Sequence, residues 1–287
     1  MVITGGQMAT KKAASTQRGQ VIALISIVVV LLIVAALILI KINKSAAPQQ
    51  ASSKLAPANV VSAVTHIPAS DYASIGYNSS NPLPSPISQK GALTQAGKPE
   101  VLFMGADYCP YCAAQRWAMV AALSRFGTFS HLGTTSSSST DVYPNTQTFS
   151  FYGSSYSSPY ISFVGVELQT NIPSNGSYTT LQKPTTQQNN LITTWDKPPY
   201  TPSQGGIPFV DFGNKYVMGG ASYDPGILQG LSLQTIAGSL SNTSTTPSKA
   251  ILATANVLTA TICKIDNNKP GSICSLSYIQ KIEKAIK

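Results

Sequence analysis

Val101-Leu-Phe-Met-Gly-Ala-Asp-Tyr-Cys-Pro-Tyr-Cys112 decides the fold, because within twelve residues it passes from an apolar run to a pair of closely spaced cysteines. Residues 101–106 carry no polar side chain, the pattern of a short strand buried on both faces. A helix is expected next, over residues 113–126, where most residues favour helix and Trp117, Val120, Ala121 and Ser124 share a face. Pro110 suits the first turn of that helix, where its missing N–H is no loss. Cys109 and Cys112 therefore lie where a buried strand becomes a helix.

That placement suits redox chemistry. Free N–H groups and the positive helix end stabilise a thiolate at Cys109, lowering its pKa from about 8.5 to roughly 3.5–7.5. Cys112, three residues on, is close enough to close a disulfide or to resolve a mixed one. A zinc site would normally pair two such knuckles. The other cysteines, Cys263 and Cys274, are widely spaced, and His66 and His131 are the only imidazoles, so no metal is expected. Haem attachment needs His after the second cysteine, where Ala113 stands. An inert structural disulfide between Cys109 and Cys112 remains open.

The chain has 287 residues, of which only 10% are charged, against about 25% in ordinary soluble domains. Residues 21–40 hold no charge and only Ser26 as a polar member, enough at about 1.5 Å per residue to cross a bilayer core of about 30 Å. This reads as a single membrane span. Secretory cleavage and a buried helix are the lesser readings, and Gln17-Arg18-Gly19 before the run resembles the leader of type IV pilin-like precursors, cut after Gly19, although Leu24 replaces the familiar acid. The net charge of +9 shrinks once the flanking Lys11, Lys12, Arg18, Lys41 and Lys44 are set aside, leaving 14 basic against 10 acidic residues without a cluster. Nucleic acid is not an expected partner. Acceptor triplets at Asn78, Asn175 and Asn242, heavy Ser and Thr usage and an even cysteine count suit an exported region beyond the span.

Beyond the span, residues 43–86 read as a linker, with a first strand within 60–67, and the compact domain is expected from Ile87. A short helix is expected over residues 88–96. Residues 135–200, dominated by Ser, Thr, Asn, Gln and Tyr, read as a polar insertion with one strand over 160–167 and a helix over 187–195. Ile207-Pro-Phe-Val-Asp-Phe212, the turn Gly213-Asn214 and Lys215-Tyr-Val-Met218 predict a hairpin. Helical character follows over 227–240, 247–262 and 275–286. Cys263 and Cys274 enclose a short loop with a Pro270-Gly271 turn, which suits a structural disulfide; a second redox pair and free thiols are the alternatives.

Taken together, Phe103-Met-Gly-Ala-Asp-Tyr-Cys-Pro-Tyr-Cys112, Gly206-Ile-Pro-Phe-Val-Asp-Phe212, Gly213-Asn-Lys-Tyr-Val217 and Gly219-Gly220 resemble the thioredoxin-like superfamily. Cys-Pro-Tyr-Cys is similar to the glutaredoxin dipeptide, and Gly-Ile-Pro to the cis-proline loop of thioredoxins. The whole chain resembles a crenarchaeal membrane-anchored family described as a domain of unknown function. The resemblance implies an α/β fold: a mixed sheet flanked by helices, with the polar insertion and a C-terminal helical extension over 241–287. It makes Cys109 the attacking and Cys112 the resolving thiol, with Tyr108, Pro110, Tyr111, Ile207 and a cis Pro208 at the substrate. The buried acid that assists thioredoxins would fall at Phe103, which leaves Asp107 as the nearest carboxylate. No basic pocket for the carboxylates of glutathione is evident.

The expected function is a membrane-anchored, extracytoplasmic thiol–disulfide oxidoreductase that needs no cofactor. Its implied partners are exported protein thiols or disulfides and a membrane redox partner. The rival is a surface-assembly or binding protein in which Cys109 and Cys112 merely form a staple.

Overall fold

The computed structural model describes residues 54–77, 80–88 and 91–287. The expected span at 21–40 and Asn78 lie outside the described residues, among which no helix is long and apolar enough to cross a membrane. The architecture is mixed α/β. It begins with β1 (Lys54–Leu55), α1 (Ala58–Thr65), α2 (Ala69–Ile75), β2 (Ser85–Pro86), β3 (Thr94–Gln95) and β4 (Lys98–Gly105). Then come α3 (Pro110–Leu123), β5 (Thr128–Ser130), β6 (Gly133–Ser136), β7 (Gln147–Ser150), β8 (Ser155–Ser157) and β9 (Ser162–Glu167). The hairpin β10 (Gln169–Ser174) and β11 (Ser177–Thr180) precedes α4 (Thr186–Trp195), β12 (Phe209–Phe212) and β13 (Tyr216–Gly219). A 3₁₀ turn at Pro225–Leu228 leads into α5 (Leu233–Ser239), α6 (Thr246–Ile265), α7 (Gly271–Cys274) and α8 (Ser277–Ala285).

β4 lies at the centre of the main sheet, parallel to β9 on one side and antiparallel to β12 on the other; β13 and then β2 extend the sheet beyond β12. Period-2 alternation puts Val101 and Phe103 in one apolar layer and Leu102 and Met104 in the other. Both faces of the strand are thus covered, which explains its unbroken apolar run. The first layer includes α3 and α6, and the second Leu191 and Trp195 of α4. Gly213 and Asn214 both have positive φ, which closes the expected β12–β13 hairpin.

α3 carries five alanines, and twelve of its residues beyond Pro110 are buried rather than one face alone. Thr148, Tyr223 and Trp117 fasten it to its surroundings. Their side chains donate to the Ala113 carbonyl at 2.7 Å, the Ala114 carbonyl at 2.6 Å and, from Trp117, the Gln147 carbonyl at 3.0 Å.

Five expectations need correction. Residues 60–67 do not form a strand, because Val60 and Val64 are four apart and bury one face of α1, helical spacing that outweighs β-branching. The core consequently starts well before Ile87, since Val60, Val64 and Tyr72 belong to it. The helix expected over 88–96 gives way to β3, whose residues pair with Lys98 and Pro99 around a turn with positive φ at Ala96 and Gly97. The stretch 135–200 is not wholly an insertion, because β9 within it is the parallel neighbour of β4. The C-terminal helices are not an appendage either: α6 packs directly on α3, with Ile251, Leu252, Leu258 and Ile262 buried.

Candidate active site

The end of β4 and the start of α3 converge on Cys109, which caps the helix. Its Sγ accepts the Cys112 N–H at 3.2 Å and lies 3.7 Å from the carbonyl oxygen of Ile207, whose bond to Pro208 is cis. Cys112 is fully buried, whereas Cys109 keeps 5% exposure. The pocket behind the sulfurs is tight. A Cβ added at Gly105 would come within 2.7 Å of the Phe103 ring and 3.1 Å of the Cys112 Sγ.

These surroundings separate the two thiols. Hydrogen bonds from the Cys112 side chain and backbone, and the Arg116 charge, hold the Cys109 thiol below its ordinary pKa against the opposing effect of burial. Burial, together with the neighbouring Cys109, pushes the Cys112 thiol well up. The Cys109 thiol therefore ionises more readily than the Cys112 thiol, which burial holds protonated.

Beneath the pair lies a charged cluster. Arg116, one helical turn after Cys112 and fully buried, grips Glu167 with two parallel hydrogen bonds, Nε to Oε1 at 2.8 Å and Nη2 to Oε2. Glu167 sits at the end of β9, in register with Gly105, and also accepts the Phe151 N–H at 3.1 Å. Asp107 Oδ1 is 3.9 Å from Arg116 Nη2 and accepts from Ser150 at 3.2 Å. Burial and the Glu167 charge push Asp107 up to about 6, in spite of Arg116 and Ser150. Desolvation opposes the Arg116 charge, but Glu167 more than offsets it and the guanidinium stays protonated. Phe103 packs its ring 5.5 Å from that guanidinium.

Tyrosines flank the dithiol loop. Tyr108 stacks on Tyr178, with centroids 4.1 Å apart, and Tyr111 meets Tyr143 edge-on at 6.1 Å. Burial, then the two cysteines, push the Tyr108 hydroxyl up to about 12. Cys109, Cys112, Tyr108, Pro110, Tyr111, Ile207 and Pro208 are thus brought together. Cys263 and Cys274 stand apart, joined by a disulfide with S–S 1.95 Å and buried between α6 and α7. Among the described residues no cluster of three or more His, Cys, Asp and Glu could hold a metal ion.

Sequence reasoning missed Arg116, Glu167, Tyr143 and Tyr178. The available signals were faint: an arginine inside an alanine-rich helix, and a glutamate closing an apolar strand. The two tyrosines lie in Ser- and Thr-rich chain that carries no periodic pattern.

Residues 87–264 match the model of a family described as a domain of unknown function (DUF929). Neither a curated protein nor a solved structure matches the chain.

Proposed function

The chain belongs to the DUF929 family, and we propose that it is a membrane-anchored thiol–disulfide oxidoreductase with a thioredoxin-like fold. The observation that carries this reading is the contrast between Cys109, a helix-capping thiol held below its ordinary pKa, and the fully buried Cys112, pushed well up. The Cys109 thiolate attacks one sulfur of a substrate disulfide and expels the other as a thiolate, which takes up a proton. Cys112 gives up its proton and attacks the Cys109 sulfur, releasing the second substrate thiol. Two electrons pass to the substrate and the Cys109–Cys112 disulfide forms; the reverse sequence oxidises a dithiol.

Support for the fold lies in the succession of strand β4, dithiol helix α3, Ile207–Pro208 loop and β12–β13 hairpin, the order that the resemblance implies. Asp107 provides a buried carboxylate in place of the acid that the resembled family would have at Phe103. The rival reading, an inert staple, draws on the 5% exposure of Cys109. Against it stands the lowering of that sulfur's pKa, since burial alone would raise it. For localisation we propose that residues 21–40 anchor the chain and that the domain faces the exterior; Asn175 and Asn242 are exposed, as glycan acceptors must be.

The proposal is tested with Cys112→Ser in the full-length chain. A mixed disulfide through Cys109 should accumulate on incubation with a peptide disulfide, and Cys109→Ser should form none. Adducts through Cys112 in the Cys109→Ser chain, with none through Cys109, would refute the assignment.

A further inference from the structure

Resting on the dithiol reading, we propose that the site takes cysteines or disulfides carried on neutral or basic polypeptide segments, and discriminates against glutathione. The two tyrosine pairs are built alike. In each, one ring comes from the dithiol loop, Tyr108 or Tyr111, and the other from the polar stretch that sequence reading leaves without a role: Tyr178 on β11, Tyr143 in the loop between β6 and β7. That stretch therefore supplies a ring on each of two sides of the dithiol loop.

These sides are held in place before any partner arrives. The Tyr108 carbonyl accepts the Ser138 N–H at 2.8 Å, and the Tyr143 carbonyl accepts the hydroxyls of Ser137 and Thr146 at 2.7 and 2.9 Å. Pre-ordered aromatic rings bind a chain segment at low entropic cost, which is why tyrosine dominates protein-binding surfaces. Exposed apolar surface gathers here as well. Of the four large hydrophobic side chains left exposed among the described residues, one is Tyr111 itself (41%) and another is Val142 (60%), next in the chain to Tyr143.

Charge narrows the choice of partner. The carboxylates beside the rings are Asp141, which acts on Tyr108, and Asp224, which accepts a hydrogen bond from the Tyr143 hydroxyl. The cation that acts on the cysteines, Arg116, is buried and gripped by Glu167. Glutathione brings two carboxylates against one ammonium, so it meets like charge at Asp141 and Asp224, while burial withdraws Arg116 from it. A polypeptide segment with apolar or basic residues beside its cysteine meets rings and carboxylates that fit it.

The test compares three disulfides reacting with the reduced full-length chain: uncharged hydroxyethyl disulfide, glutathione disulfide, and a short peptide disulfide with Tyr and Lys beside the cysteine. Relative to hydroxyethyl disulfide, the peptide should react about tenfold faster and glutathione disulfide about tenfold slower, the scale of a charge or aromatic contact in recognition. Tyr178→Ala should reduce the ratio of peptide to hydroxyethyl rates about fivefold. Asp141→Lys should raise the glutathione rate, a gain that loss of fold could not produce. Equal ratios for peptide and glutathione, unmoved by Tyr178→Ala and Asp141→Lys, would overturn the inference while leaving the dithiol chemistry standing. Failure of all three disulfides to react would remove both.

Discussion

Cys109 and Cys112 are the same residue type three positions apart, and only their surroundings shift their thiols in opposite directions. Arg116 is the least conspicuous part of those surroundings. Arg116→Met should cost about 3–5 kcal/mol of stability in urea unfolding, because it leaves the Glu167 carboxylate buried without its partner. It should also move the pH profile of Cys109 alkylation upward by removing a charge that favours the thiolate, an effect Arg116→Lys should largely avert. Gly105→Ala should cost about 1–3 kcal/mol by overpacking, since the new methyl collides with Phe103 and presses on Cys112. The dithiol and the Ile207–Pro208 loop were legible because each is a local pattern. Arg116 and Glu167 were not: 51 positions separate them, and a lone charge in a helix reads as solvated until a register pairs it.

Among the elements, α3 and α6 form the support of the site, and α6 was misjudged as an appendage because its burial depends on a partner more than a hundred residues earlier. The disulfide between Cys263 and Cys274 fixes the end of α6, and the paired change to serine should cost about 2–3 kcal/mol, the stabilisation of a short closed loop. Thermal unfolding with and without the pair measures it, and the reactivity of Cys109 should be unaltered. α1 was misread for a different reason. Three valines and an isoleucine within residues 60–67 suggest a strand by composition, but only Val60 and Val64 are buried, and their spacing is helical. The β12–β13 hairpin was legible because Gly213-Asn214 specifies its turn locally.

For the molecule as a whole, burial of acids makes stability depend on pH in an unusual direction. Asp107 is pushed up to about 6 and Asp211 and Asp266 to about 7, chiefly by burial, each from an ordinary 3.8. Between those limits the folded chain binds more protons than the unfolded one, so stability falls as pH rises through the window. The Tm at pH 5 should exceed that at pH 8 by about 5 °C, and Asp211→Asn should narrow the gap. Topology has its own check: glycan mass at Asn175 or Asn242 in protein from native membranes would support an exterior domain. The most direct test of the central claim is the pH dependence of iodoacetamide alkylation of the reduced full-length chain, read at each cysteine by mass spectrometry. The account predicts faster labelling at Cys109 than at Cys112, titrating below about 8.5, the ordinary thiol value, with Cys112 protected throughout. Labelling of Cys109 only above that value, or no faster than Cys112, would contradict it.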